Sequence, residues 1–487
     1  MISDNLAVSL TFVVYLAGML GIGIWAYRRT NDLSDYVLGG RSLGAWPSAL
    51  SAGASDMSGW LLLGMPGFAY IAGWEAMWLA LGLLIGTYLN WWLVAPRLRS
   101  FSQQANNSLT LPDYLSNRFD DRVAIRSISA FFILLFFTFY TSAGLVAGGK
   151  LFESVFHMDY GWAVSVGTLA VVSYTMFGGY LAVVWTDLVQ GLLMVAALLL
   201  VPVMVLMVLG QTPNELLAAH DADLLDPWTD AEGNLLSWIT ITSSLAWGLG
   251  YFGQPHILAR FKGIKSREAV KPARRIALGW TTLGLGGAFL VGVAGIGYFD
   301  TPLADPEKVF MALVQDTLFH PVIAGVLLAA ILAAIMSTAD SQLLVCSSVL
   351  AEDIYKPLFH ARAGGRTLVW VGRWGVVGIA CIAWFLALNP DSSVLGLVAY
   401  AWAGFGTAFG PAVILSLFWP RMNRYGCLAG ILVGGTTVVI WKQLSGGLFD
   451  LYEIVPGFLL STFAIVVVSR LTQKPAEGIK KAFYSAV

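Results

Sequence analysis

Stretches of about 20 mostly apolar residues, the length that crosses a bilayer as a helix, recur along this chain and leave it few folds to choose from. Thirteen are read from the sequence, near 6–27, 44–72, 75–96, 123–150, 160–178, 181–209, 235–257, 275–299, 320–351, 367–388, 392–418, 424–443 and 450–470. In lipid every peptide group must be bonded within its own segment, so such spans are helical. Charged residues make up only 12% of the 487 positions, against 57% hydrophobic. That is about half the ordinary charged share, too little to cover a soluble globule of this size. The chain is therefore expected to be an all-α integral membrane protein with about 13 transmembrane helices.

Charge placement supplies an independent check through the positive-inside rule. With the N-terminus outside and the C-terminus cytoplasmic, thirteen spans put every Lys and Arg on the inner side except Lys150, Lys308 and Lys442. The loop 210–234 carries Glu215, Asp221, Asp223, Asp226, Asp230 and Glu232 without Lys or Arg, as an outer loop would. Arg28 and Arg29 follow the first apolar run, the reverse of a cleavable signal peptide. A net charge of −1 gives no basic patch for nucleic acid. Cys346, Cys381 and Cys427 lie in apolar stretches and the five His are dispersed, so the thiols read as core filler and no transition-metal cluster or other cofactor is expected.

Two spans are interrupted. The second carries Ser51-Ala52-Gly53-Ala54-Ser55-Asp56-Met57-Ser58-Gly59-Trp60, and the seventh carries Trp247-Gly248-Leu249-Gly250-Tyr251-Phe252-Gly253-Gln254-Pro255. Glycines and proline at that density oppose continuous helix; the alternative is that the glycines only admit close helix packing. The breaks lie five spans apart, so each opens a five-helix repeat and the odd count inverts the second copy. That is a LeuT-like five-plus-five inverted repeat, with one extra helix before it and two after it. The expected divisions are 1–35, 36–209 (broken near 53–59), 210–420 (broken near 247–255) and 421–487.

Broken helices at matched repeat positions are where transporters hold ions and solutes. An unwound turn offers carbonyl oxygens to a cation and amide N–H groups to a carboxylate. Asp56 lies inside the first break, where an intramembrane acid is a functional candidate or a cap on the half-helix at Ser58-Gly59. In span nine, the Ser337 and Thr338 hydroxyls sit one turn from Ala334, whose carbonyl they free by competing for its hydrogen bond. These neutral oxygens suit a monovalent cation; the bland alternative is hydroxyls bonded to their own backbone. Asp187, Asp340 and Ser341 are candidates for a second cation or proton site, Asp187 being equally readable as an interfacial acid. Tyr140 sits mid-span after Phe131, Phe132, Phe136, Phe137 and Phe139, where it either closes over a substrate or packs. No nucleophile–base pair appears, so an enzyme is not expected; a passive channel or a solute sensor remains the rival class.

These segments resemble the sodium/solute symporter family. The likeness is carried by Leu38-Gly39-Gly40-Arg41-Ser42-Leu43-Gly44, both breaks as far as Arg260, Leu109-Thr110-Leu111-Pro112-Asp113-Tyr114, Ala333-Ala334-Ile335-Met336-Ser337-Thr338 and Tyr400-Ala401-Trp402-Ala403-Gly404-Phe405-Gly406. The resemblance implies one Na+ site formed by Ala54, Met57, Ala334, Ser337 and Thr338, with Asp56, Ser55 and Arg41 tied to ion coupling. It further implies a proline pocket with Ser58, Gly59, Tyr140, Trp247, Tyr251 and Pro255. The activity so implied is sodium-coupled symport of L-proline across a bacterial inner membrane, with lipid as surroundings and no obligatory protein partner. Another small amino acid or carboxylate, or proton coupling, is the alternative. Asp340 stands where the resemblance leads one to expect a neutral residue, which bears on ion stoichiometry.

Overall fold

The computed structural model describes residues 2–27, 38–121, 123–175, 179–316, 319–360 and 362–486. Arg28, Arg29 and Arg122 of the charge sorting, and the expected boundary at 35–36, lie outside the described residues. Among those described, every named element is helical and only two isolated β-bridges occur.

Helix α1 (Ile2–Tyr27) precedes an interrupted segment of α2 (Ala45–Asp56), α3 (Gly59–Leu62) and α4 (Gly64–Ala72). α5 (Met77–Leu89) passes through a π turn at Asn90–Val94 into α6 (Ala95–Gln104), and α7 (Leu111–Phe119) leads to α8 (Ala124–Phe156). Next come α9 (Tyr160–Thr175), α10 (Tyr180–Leu209) and the short outer-loop helix α11 (Pro213–His220), which opens on a Thr212–Glu215 capping box. The Thr212 backbone N–H on Glu215 holds that exposed carboxyl below its usual range.

The second interrupted segment joins α12 (Trp238–Ala246), a 3-10 turn at Trp247–Gly253 and α13 (Pro255–Gly263). α14 (Val270–Tyr298) and α15 (Val309–Gln315) lead to α16 (Pro321–Ser348), which continues through a π turn at Val349–Tyr355 into α17 (Lys356–Leu358). The chain ends with α18 (Gly365–Ala387), α19 (Val394–Phe418), α20 (Arg424–Trp441), α21 (Ile454–Leu471) and α22 (Glu477–Ala486). Among the described residues ten segments are long and apolar enough to span a membrane, with Gly59–Gln104 taken as one. α9 and the two interrupted segments are what separates that number from the thirteen read from sequence.

α2 is buried from Ser48 to Asp56 and packs on α10, α13, α14 and α16. α1 instead exposes Leu6, Leu10, Val13 and Val14, an apolar surface that lipid covers. In the phenylalanine run of α8, Phe136 and Phe137 are packing, with rings 5.7 and 4.4 Å from Phe405 of α19, while Phe131 is exposed. Lys150 meets Glu307 at 2.7 Å, Lys308 meets Glu153 at 2.7 Å and Lys442 meets Glu453 at 3.7 Å, so each of the three bases sorted outside has an acidic partner.

Two readings need correction, and a third, the break at Trp247–Pro255, gains a second role. Arg260 and Lys262, assigned to a solvated inner loop, are 1% exposed, because α13 carries the helix on to Gly263 instead of ending near 257. Cys381 is exposed on α18 while Cys346 and Cys427 are buried, so only two thiols fill a core. The glycines of the second break do serve close packing. A Cβ on Gly250 meets the Trp402 indole at 1.9 Å, one on Gly253 the Phe405 carbonyl at 2.0 Å, and one on Gly248 the Gly82 carbonyl at 2.3 Å.

Candidate functional site

The first break starts where Ser58 N–H turns back to Asp56 O at 3.1 Å, instead of forming the helical bond to Ala54. Ala54 O thereby loses its donor four residues on, and a buried carbonyl must be matched from elsewhere. It accepts from Ser337 Oγ at 2.8 Å and, more weakly, from Thr338 Oγ1 at 3.4 Å. Ser337 Oγ also reaches Ala334 O at 3.1 Å, its own backbone one turn earlier. Met57, whose N–H still bonds Gly53 O at 2.9 Å, is fully buried at the end of α2, with its sulfur where a Cβ on Gly284 of α14 would meet it at 3.7 Å. Ala54, Ala334, Ser337 and Thr338 thus converge, and their donor set of neutral carbonyls and hydroxyls matches a monovalent hard cation.

Helix resumes at Gly59, with the Ser58 side chain as its cap through a long 3.5 Å contact from Trp60 N–H. Asp56 is therefore not the cap of the half-helix. Its Oδ2 instead accepts from Tyr251 OH at 2.7 Å, a residue of the second break, while Oδ1 is buried without a hydrogen-bond partner. Its backbone carbonyl accepts from Tyr140 OH at 3.1 Å and Trp60 Nε1 at 3.3 Å. Both interrupted segments and α8 therefore meet at one aspartate that is 3% exposed. A small cavity beside it is lined by Gly53, Asn90, Tyr251 and Thr281.

In the second break the tightened turn ends at Gln254, whose backbone is extended, and α13 starts on Pro255, where a missing N–H costs nothing. Asn90, on the π turn of the third span, donates to Tyr251 O at 2.9 Å and satisfies a carbonyl that the turn sets free. Trp402 Nε1 donates to Trp247 O at 2.7 Å, and its ring meets Tyr251 edge-on at 5.0 Å. Trp60 and Trp247 approach to 6.4 Å, so aromatic rings from both breaks meet.

Toward the opposite end of α13, Asp187 Oδ2 accepts from Ser51 Oγ at 2.6 Å, Ser55 Oγ at 3.0 Å and Arg260 at 3.1 Å. Arg260 also reaches Ser341 Oγ at 2.5 Å, and Ser341 lies 2.8 Å from Ser55 Oγ. Asp187 is thus a fully buried ion-pair partner and not an interfacial acid. Asp340 faces elsewhere, its Oδ1 accepting from Thr175 of α9 while Oδ2 has no partner. The angular step of about 100° per residue explains the split, since it turns neighbours 340 and 341 toward different helices. Arg41 is not brought to Asp56: it bonds Ser102 Oγ, Asn107 Oδ1, Ser108 O and Lys262 O, joining a loop to the end of α13.

Sequence reading missed Arg260, Ser51, Asn90 and Trp402 as members of this site. Arg260 was absorbed into the inner-side count, although its spacing of five residues from Pro255 places it on the same half-helix.

A sequence profile of the sodium:solute symporter family matches residues 36–434. The sodium/proline symporter of Salmonella typhimurium is 50% identical over 98% of this chain and 95% of its own length. The high-affinity proline transporter PutP of Bacillus subtilis is 49% identical over 96% of this chain and 98% of its own. Among solved structures, a Na+-coupled sialic acid symporter in a substrate-bound outward-open state superposes with a TM-score of 0.80 at 20% identity, covering 97% of this chain and 99% of that one.

Proposed function

The chain belongs to the sodium:solute symporter family, and from that premise we infer that it carries sodium and L-proline together into the cell by alternating access. It is a multi-pass membrane protein with the helical architecture of sodium-coupled symporters. The observation that carries the mechanism is the junction of the two breaks, Tyr251 OH on Asp56 Oδ2, beside the Ala54 carbonyl that Ser337 and Thr338 hold. A cation entering among Ala54, Met57, Ala334, Ser337 and Thr338 ties α2 to α16. The same corner positions Ser58 and Gly59 at the start of the next half-helix, whose positive dipole end faces the proline carboxylate. The pyrrolidine ring packs against Tyr140, Trp247, Tyr251 and Pro255.

Coupling needs no push. Each ligand binds the closed arrangement better than the open ones, and the two then reinforce each other by linkage. One sodium suffices: about 2.3 kcal/mol from a 100 mV potential and about 1.4 from a tenfold gradient support roughly 500-fold accumulation. We read Asp187 and Ser341 as partners of Arg260 and assign them no second ion, and Asp340 as a separate buried acid of α16 that faces α9. The repeats are taken as 36–209 and 210–420, the N-terminus as outside, the membrane as the bacterial inner membrane, and the protein as a transporter without enzymatic activity or cofactor.

Labelled L-proline uptake into proteoliposomes tests this directly. An inward sodium gradient should drive transient accumulation, while potassium or a proton gradient alone should not. Equal uptake under all three conditions overturns sodium coupling, and sodium-driven uptake that excess proline fails to compete overturns the solute.

A further inference from the structure

The Trp247 ring is also met from outside the two repeats. Tyr452, in the connection between α20 and α21, stacks on the Trp247 ring with centroids 5.5 Å apart and planes 30° apart. Its backbone N–H donates to Ser243 Oγ at 3.0 Å, one turn before Trp247 on α12, and its hydroxyl donates to Ala399 O at 2.6 Å on α19. Trp402, one turn after Ala399, holds the Trp247 carbonyl and sets its own ring 6.5 Å from that of Trp247, with the planes 29° apart. Exposure falls along this series from the half-buried Tyr452 to Trp247 at 8% and to Trp402 and Trp60 at 1%. The anchoring is firm: Ile454, two residues on, is fully buried and lies where a Cβ on Gly406 of α19 would meet it at 2.9 Å.

We propose that Tyr452 is a positioning residue for the solute pocket: the appended C-terminal helices present its ring to Trp247 and so hold the indole in the orientation that packs against the solute. The proposal rests on the pocket assignment of Trp247 made above. Its physical content is that a large aromatic side chain at a gap in the helix keeps several rotamers unless a second face is covered. Each rotamer that must be abandoned on binding weakens the solute by the corresponding fraction.

The test compares Tyr452→Ala, Tyr452→Phe and Trp247→Ala by initial rates of sodium-driven L-proline uptake in proteoliposomes, with thermal unfolding of each purified variant. Tyr452→Ala should raise KM for proline roughly fivefold, the fold-change that about 1 kcal/mol of aromatic pairing converts to. Maximal rate, sodium half-saturation and unfolding midpoint should stay near wild type. Tyr452→Phe, which keeps the ring and loses the bond to Ala399, should restore KM to within about twofold. Phe as impaired as Ala, or Ala impaired in maximal rate and stability with unchanged KM, overturns the proposal. An unchanged KM in Tyr452→Ala with a raised KM in Trp247→Ala overturns this inference alone; an unchanged KM in Trp247→Ala overturns the pocket reading beneath it.

Discussion

Replacing Tyr251 with phenylalanine removes one hydroxyl and almost nothing else. The ring keeps its edge-on contact with Trp402 at 5.0 Å, and Asn90 still bonds the residue 251 carbonyl. What disappears is the 2.7 Å bond to Asp56 Oδ2, in a place where Oδ1 has no partner, so the carboxyl is left buried with neither oxygen satisfied. A hydrogen bond to a charged group contributes about 1.5–3 kcal/mol. The loss falls on the closed arrangement that joins both breaks, and with linkage it should appear in both ligands. At the lower bound, about 1.5 kcal/mol, half-saturation for proline rises at least tenfold and that for sodium moves in the same direction. The assay is initial uptake rate in proteoliposomes over a grid of sodium and proline concentrations, with unfolding temperature as the check on integrity. Half-saturation for both ligands within twofold of wild type, in a folded protein, would refute the claim that this bond holds the closed state.

Other expected outcomes follow from the same geometry. Ser337→Ala combined with Thr338→Ala removes two oxygen donors; at about 1 kcal/mol each, sodium half-saturation should rise on the order of 30-fold in sodium-dependent proline binding, and unchanged sodium affinity sinks the span-nine site. Asp56→Asn keeps an acceptor for Tyr251 but not the charge, so sodium dependence should weaken while the fold, read by circular dichroism, persists. Arg260→Met leaves Asp187 buried and unpaired and should cost about 3–5 kcal/mol of stability; adding Asp187→Leu should recover much of that in a chemical denaturation series, and additive losses would deny the pair. Gly250→Ala should abolish folded protein in detergent extracts, since its Cβ meets the Trp402 indole at 1.9 Å; normal yield and uptake would show that Trp402 moves freely.

Much of this protein is written locally, because lipid removes the competition that water offers a soluble chain. Apolar stretches of bilayer length must be helical, and Gly, Pro and a buried acid within such a stretch mark where the ladder fails. For that reason the interrupted segments at Ser51–Trp60 and Trp247–Pro255, and Asp56 within the first, were legible one residue at a time, and the sequence of spans between them implied the repeat.

Partner choice was not legible, since it depends on how helices far apart in the chain rotate against each other. Two of the glycines at the second break are explained by the backbones of α5 and α19, and Gly250 by the Trp402 side chain, contacts invisible to local pattern. Arg260 counts as one more inner-side base in the sequence, yet in the fold it lies between Ser51, Asp187 and Ser341. Asp340 and Ser341 are neighbours in the chain and serve different helices. Likewise, Tyr452 lies 205 positions after Trp247, and only the docking of α20 and α21 onto α19 lays one ring on the other. Secondary structure and the location of the breaks follow from short-range backbone hydrogen bonding, whereas the chemistry gathered around them is set by side chains that only packing brings within reach.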